Sequence, residues 1–447
     1  MASSSTPVEN LLSLNLLDDT TYQPEAPAGY DSSFKLASRN VDSRTTDYKD
    51  NEYCVTTFPQ PDTEELRKDG HAEVMCTGWF KRKVMSTPGF PSPMVHPPKI
   101  TYEIREMEGR VGYGMFATED IAPGDLVVAE RPLLVNAIWS LGNPQARIIS
   151  KEQQLRGMYA DMEKNMELIC SRMSPETLEK YKSLHNSHKS EGSGPLTGIG
   201  RTNGFDVGVE DLQASKLVGQ GRARYSAIGA ISSRINHSCS PNVVHSFNIP
   251  SFAMEIHAVR RIAKGEEITV TYALLNDNAA DRQTTLNPYK FTCACPACKD
   301  SKTSDQLRKT AISGLLPKSS QGVERADAAL RAFEATGLQS HPRYHELLMR
   351  VAKIHRKKGS KERADELESL AERVTRGSRR NRTGAGTSSE PTPPAETHVI
   401  TSPEDMIKLM NSVVARVNPG DRARIMQDLM RSFQLGNRDE GANASGQ

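Results

Sequence analysis

No stretch of 18 apolar residues occurs in this 447-residue sequence, so no segment is expected to cross a membrane as a helix. Its start, Met1-Ala2-Ser3-Ser4-Ser5, lacks the basic stretch and apolar core of a secretory signal. Net charge is also scarce, +2 overall, and selects no class of partner by itself. The distribution is less even. Residues 1–70 hold 13 acidic and 6 basic side chains, whereas residues 341–382 hold 13 basic and 6 acidic. The basic stretch suits a solvated helix face, or docking to an acidic partner; direct nucleic-acid binding stays open. The length allows two or more domains and a sizeable core.

Cysteine is sparse too, seven in all, yet three fall in Cys293-Ala294-Cys295-Pro296-Ala297-Cys298. Such a run cannot easily close its own small loops as disulfides. Its spacing is that of metal ligands in a reducing compartment, nucleus or cytoplasm. Three thiolates leave one vacancy on a tetrahedral zinc, and Cys239 stands upstream in Asn236-His237-Ser238-Cys239-Ser240-Pro241-Asn242. An iron–sulfur cluster also takes four thiolates. Chance bunching of structural cysteines is the bland alternative.

Two further pieces complete a pattern. Upstream stands Gly112-Tyr113-Gly114-Met115-Phe116-Ala117, continuing into Ile121-Ala122-Pro123-Gly124-Asp125. Between the two cysteine motifs stands Gly265-Glu266-Glu267-Ile268-Thr269-Val270-Thr271-Tyr272. In this order the four pieces resemble a SET-domain lysine methyltransferase. The long insertion after the first is similar to the SET-and-MYND branch. That insertion holds one cysteine, Cys170, so the MYND finger and its peptide binding are missing. The resemblance covers about residues 100 to 300, and more loosely the helical region behind them.

The resemblance implies an α+β protein: a mainly β SET core of the β-clip type, split by a helical insertion. A zinc-bound post-SET segment and an α-helical C-terminal region follow. It makes Tyr272 the catalytic tyrosine, also in contact with the methyl donor S-adenosylmethionine. Gly112, Tyr113 and Gly114 would lie at the methionine end of that cofactor. Asn236 and His237 would offer donors and acceptors to its amino group and adenine edge, and Asn203 a further contact. Phe291 would cover adenine and Tyr289 would line the lysine channel. Cys239, Cys293, Cys295 and Cys298 would hold one structural zinc, tying the post-SET tail onto the 236–242 loop. Asn242 is expected to fix that loop.

The residues taken alone allow blander roles: an ordinary turn for the glycines, a core aromatic for Tyr272. A phenol with a pKa near 10 is also a poor general base at neutral pH. The methyl acceptor needs a neutral amine, which burial favours. The expected activity is therefore S-adenosylmethionine-dependent methylation of lysine in a protein substrate, histone or non-histone, chromatin included. The alternative is an inactive SET scaffold acting as a docking module. No membrane partner and a monomeric state are expected.

Composition divides the chain further. Residues 1–95, rich in Ser, Thr, Asp and Pro, read as a largely disordered arm with one local helix near residues 11–17. The SET domain would occupy 96–275, with its insertion at about 136–200. The post-SET zinc segment would occupy 276–300. A helical, tetratricopeptide-like region at 301–376, a flexible linker at 377–402 and a helical pair at 403–434 complete the expectation. Ile100, Tyr102 and Ile104 alternate as in a half-buried strand, and Ser174-Pro175 reads as a helix start. Tyr344, Leu347, Leu348, Val351 and Ile354 form a helical stripe that Gly359 can end.

Overall fold

The structure is a computed structural model that describes residues 24–30, 45–107, 112–138, 150–189, 191–211, 213, 223–314, 316–318 and 322–379. Its first strand, β1 (Tyr53–Phe58), lies inside the arm expected to be disordered and corrects that expectation. After helix α1 (Glu64–Asp69), strand β2 (Ala72–Thr77) pairs antiparallel with β1, from Tyr53↔Thr77 to Phe58↔Ala72. Thr77 then caps α2 (Gly78–Met85) by accepting the Phe80 N–H on its hydroxyl. Both strands are buried on both faces, so their sequences carry no polar–apolar alternation to read. Phe80 stacks on Tyr225 with ring centroids 3.8 Å apart, joining this segment to the rest of the core.

Strands β3 (Tyr102–Glu106), β4 (Tyr113–Ala117), β5 (Leu126–Glu130) and β6 (Leu134–Ile138) follow. β3 forms where the alternation places it, but Ile100 and Ile104 are exposed rather than half-buried. The reason is position: β3 is the edge of its sheet and pairs only with β4. Helices α3 (Lys151–Cys170), α4 (Pro175–Lys182) and α5 (Pro195–Asn203) come next. Ser174 caps α4 and Pro175 opens it, as expected. The second half of the core is β7 (Gly204–Asp211), β8 (Ala223–Ile228), β9 (Asn236–His237), β10 (Val243–Asn248), β11 (Ala253–Ala258) and β12 (Glu267–Val270).

Three sheets result, in the orders β1-β2-β6-β8-β7, β10-β11-β5 and β3-β4-β12-β9. The third matters most for function, because it aligns the first and last halves of the core. Behind it run α6 (Ala279–Leu286), α7 (Pro296–Lys299), α8 (Ser301–Ser313), α9 (Val323–Glu334), α10 (Pro342–Lys357) and α11 (Lys361–Arg379). Leu330, Phe333, Leu348, Val351, Leu367 and Ala371 bury one another between the last three helices. Gly359, at φ +90°, follows the end of α10. α11 packs on β10 and β11, and its Arg373 comes so close to Gly124 that a Cβ there would lie 2.3 Å from it.

The chain is thus α+β, with a helical region fused to a β core. α11 runs to Arg379, past the expected boundary at 376. The helix expected near residues 11–17 and the helical pair at 403–434 lie outside the described residues, as does all of the linker beyond 379. No helix among the described residues is long and apolar enough to cross a membrane.

Candidate functional site

The site grows from a short parallel pairing of β12 with β9, in which Thr269 faces Asn236 and Val270 faces His237. The Ser238 N–H donates to the Val270 carbonyl at 2.9 Å, and the Asn242 N–H to the Thr269 carbonyl at 3.1 Å. Asn242 is buried and stitches the loop to β12. Its Nδ2 donates to the Glu267 carbonyl at 2.8 Å, and its Oδ1 accepts the Thr269 N–H at 2.7 Å. Asn242 therefore fixes the loop, as the sequence suggests.

Tyr272 lies two residues beyond β12. Its hydroxyl donates to the Ile235 carbonyl at 2.6 Å and its N–H to His237 Nδ1 at 2.9 Å. Burial pushes the phenol pKa above its ordinary value, and the nearby Tyr289 and Glu267 push it the same way. The hydroxyl stays protonated, and with its proton committed to Ile235 it presents lone pairs to an approaching group. The Tyr289 ring is 4.9 Å from that of Tyr272.

His237 occupies the junction of the site. Because Nδ1 accepts from Tyr272, the proton of the neutral ring sits on Nε2, 3.3 Å from Cys239 Sγ. Burial, aided by the charge of Arg282 and opposed by Cys295, lowers the ring's pKa to about 4. Both ring nitrogens are thereby spent inside the protein. The expectation that this side chain offers a donor or acceptor to a cofactor is corrected; what it presents is a flat ring, 6.1 Å from that of Phe291.

Asn236 donates through Nδ2 to the Tyr113 carbonyl at 3.1 Å and to Glu267 Oε1 at 2.9 Å. It thus joins the Gly112-Tyr113-Gly114 turn to β12. Gly112 has φ +104°, and a Cβ on Gly114 would lie 2.5 Å from Met107 Sδ and 3.1 Å from Asn236 Nδ2. Tyr113 is 47% exposed, beside the Arg234 guanidinium. Asn203 differs. Its amide is consumed by the His185 and Ile199 carbonyls at 2.7 and 2.8 Å, closing the end of α5. Its own carbonyl accepts from Ser233 Oγ at 3.1 Å.

The four thiols come together as expected. The sulfurs of Cys239, Cys293, Cys295 and Cys298 all lie within 4.8 Å of one another, with Cys239 3.5 Å from Cys298 and 3.9 Å from Cys293. Zinc–sulfur bonds of about 2.3 Å place tetrahedral ligands about 3.8 Å apart. The thiols fit one metal ion, and they crowd too closely to hold a multi-iron cluster. The coupled thiols share their protons unevenly: hydrogen bonds from Cys239 and Cys293 pull the Cys295 pKa down, while the bonds to Cys293 and Cys295 push that of Cys239 up.

Three residues of this region carry no sequence signal. Gln283 on α6 donates through Nε2 to the Phe291 carbonyl at 2.9 Å and accepts the Cys293 N–H on Oε1 at 3.1 Å. Arg282 and Arg308 are buried beside the thiols. Side chains that reach backbone atoms of distant segments leave no spacing pattern to find.

Residues 112–273 match the SET domain family. The chain is 30% identical over 204 residues to "Histone-lysine N-methyltransferase set5" of Schizosaccharomyces pombe, covering 44% of this chain and 52% of that protein. It is 36% identical over 111 residues to "N-lysine methyltransferase SMYD2" of Homo sapiens, 24% of this chain and 23% of that one. A solved structure, the Neurospora SET domain protein DIM-5, a histone lysine methyltransferase, aligns with a TM-score of 0.21 at 16% identity, over 43% of this chain and 65% of that one. The chain thus spans about half the length of the yeast relative it matches.

Proposed function

We propose, from the premise that residues 112–273 are a SET domain, that this chain transfers a methyl group from S-adenosylmethionine to the side-chain amine of a protein lysine. The observation that carries the reading is convergence. Asn236 ties the Gly-x-Gly turn to β12, and His237 ties the Tyr272 backbone to Cys239, so four separated sequence pieces meet at one place.

Methyl transfer to an amine is an in-line displacement that asks little of side-chain chemistry. The amine must be neutral, aligned and shielded from water. Tyr272 suits alignment rather than proton removal, since its raised pKa keeps it a phenol. Its open lone pairs orient the amine and the departing methyl. Tyr289, its ring tilted 38° to that of Tyr272, forms a wall of the lysine channel. Gly112, Tyr113 and Gly114 receive the methionine end of the cofactor, and Phe291 and the His237 ring flank its adenine. Asn203 contributes through position alone. One zinc on Cys239, Cys293, Cys295 and Cys298 serves structure, joining the post-SET tail to the 236–242 loop.

The names of the relatives point to histone lysine in one case and to lysine in the other, so the substrate class proposed is a protein presenting lysine, chromatin included. Work in the nucleus or cytoplasm as a monomer completes the reading. The competing reading, an inactive docking scaffold, is disfavoured by intact Tyr272, Asn236 and His237 in one connected site. Transfer of labelled methyl from S-adenosylmethionine to a cell extract, followed by site mapping, tests it. Label on lysine of a protein is expected; cofactor binding without any transfer would favour the scaffold.

A further inference from the structure

Two arginines are buried against the protein side of the thiol cluster, Arg282 at 0% and Arg308 at 2% exposure. A buried guanidinium is tolerated only with compensating charge and hydrogen-bond acceptors. Arg282 donates from Nη1 to the Asp277 carbonyl at 2.5 Å and pairs with Asp305 at 3.1 Å. Its Nε and Nη2 are buried without a hydrogen-bond partner, and the charge of the Cys239 thiol is what favours the guanidinium there. Arg308 donates only to neutral carbonyls: from Nη1 to Cys239 at 2.9 Å and Thr336 at 3.4 Å, and from Nη2 to Leu275 at 3.0 Å. Asp305 is one carboxylate beside two cations. The remaining countercharge must come from the sulfurs.

Four thiolates around a divalent ion carry a net charge of −2, enough to offset the one positive charge that Asp305 leaves uncompensated. Arg308 also has a second task. It projects from α8, and its three acceptors belong to the 236–242 loop, the segment after Tyr272 and the turn after α9. The same turn presses Gly337 on Ser240, where a Cβ on Gly337 would lie 2.4 Å from the Ser240 side chain.

We propose that Arg282 and Arg308 are positioning residues of the thiol site: their charge stabilises the metal-bound tetrathiolate, and through Arg308 metal binding and the docking of α8 and α9 on the 236–242 loop are one coupled event. The proposal rests on the zinc reading above. It goes beyond it by making the helical region part of the metal site and not an appended module.

The test uses the full chain. Elemental analysis comes first: about one zinc per chain is expected, and a wild-type protein without metal overturns the zinc reading itself, and this proposal with it. Given zinc, Arg282→Met and Arg308→Met should lose metal affinity about 10- to 100-fold in competition with a chromogenic chelator, as changes to outer-shell groups do. Lysine at either position should recover part of the loss, because it returns the charge. In cobalt-substituted protein, Arg282→Met should move the thiolate-to-cobalt band to lower energy, since thiolates relieved of a neighbouring positive charge give up electrons more readily. Stripping metal from the wild type should deprotect the α8 and α9 amides in hydrogen exchange while β1 and β2 keep theirs. If the methionine variants fail to fold, this last measurement decides. Wild-type affinity in both variants, or unchanged protection of α8 and α9 after stripping, overturns the coupling.

Discussion

His237 Nδ1 accepts the backbone N–H of Tyr272 at 2.9 Å, and this one bond fixes which nitrogen of the ring carries the proton. The proton on Nε2 then points at Cys239 Sγ, 3.3 Å away. The backbone of the candidate catalytic tyrosine is therefore two bonds from the candidate metal site. A side chain that the sequence offers as a ligand contact proves to be the connector between the two.

Tyr272→Phe should reduce turnover by about 100-fold or more, a loss of the size seen when one group aligned on a transition state is removed. Cofactor affinity should stay close to wild type, because the hydroxyl contacts Ile235 and the reacting groups rather than the bulk of the cofactor. Single-turnover kinetics beside calorimetric titration with S-adenosylmethionine separate the two effects. Wild-type turnover in the variant removes Tyr272 from catalysis.

The raised phenol pKa has its own consequence for pH. A tyrosine held protonated by burial does not ionise near pH 10, so its titration should leave no descending limb in the rate between pH 8 and about 10. A rate-versus-pH profile that falls in that window in wild type, and no longer does in a Tyr272 variant, contradicts the assignment.

Gly114→Ala should weaken cofactor binding about tenfold, near 1.4 kcal/mol, because its Cβ meets Met107 Sδ at 2.5 Å and Asn236 Nδ2 at 3.1 Å. Gly112→Ala meets nothing within 4 Å but strains a backbone at φ +104°. Its cost of about 1–3 kcal/mol should appear in stability instead. Titration of cofactor beside urea unfolding of both variants distinguishes space from strain; equal effects of the two on affinity would contradict it.

Cys295→Ser should release zinc and weaken cofactor binding, although Cys295 touches no cofactor in the proposed site. The Gln283 amide holds Phe291 and Cys293 independently of metal, so the loss should be partial. Combining Cys295→Ser with Gln283→Ala should free the tail and cost more affinity than either change alone. Calorimetry and limited proteolysis of residues 276–300 check this. A double variant that loses no more affinity than Cys295→Ser alone would show that Phe291 is held by something else.

Phe80→Ala should destabilise the protein by about 3–5 kcal/mol, since the ring is fully buried and stacked on Tyr225. Zinc content should not change, because this ring sits in the core of the β1-β2-β6-β8-β7 sheet and not beside the thiols. An unaltered urea midpoint would mean that the segment before residue 95 is an appendage after all.

What the sequence by itself determined is whatever depends on neighbours along the chain. Cys293, Cys295 and Cys298 lie within six residues, so local spacing alone marks a candidate metal site. Ser174 and Pro175 open α4, and the stripe from Tyr344 to Ile354 makes α10, because helix caps and helical faces are local geometry. The order of the four motifs was enough to point to the family whose model matches residues 112–273.

The tertiary structure alone decided the rest. β1 and β2 hide in a polar, proline-rich stretch because burial on both faces erases alternation. β3 shows alternation, yet its edge position leaves Ile104 exposed. The ring nitrogens of His237 became connectors within the protein because Tyr272, 35 residues away, claims Nδ1. Arg282, Gln283 and Arg308 act on atoms up to 69 residues distant, through directions that folding alone creates. Hydrogen bonds and countercharges are read in space, and one-dimensional spacing records them only when both partners sit on the same turn or strand.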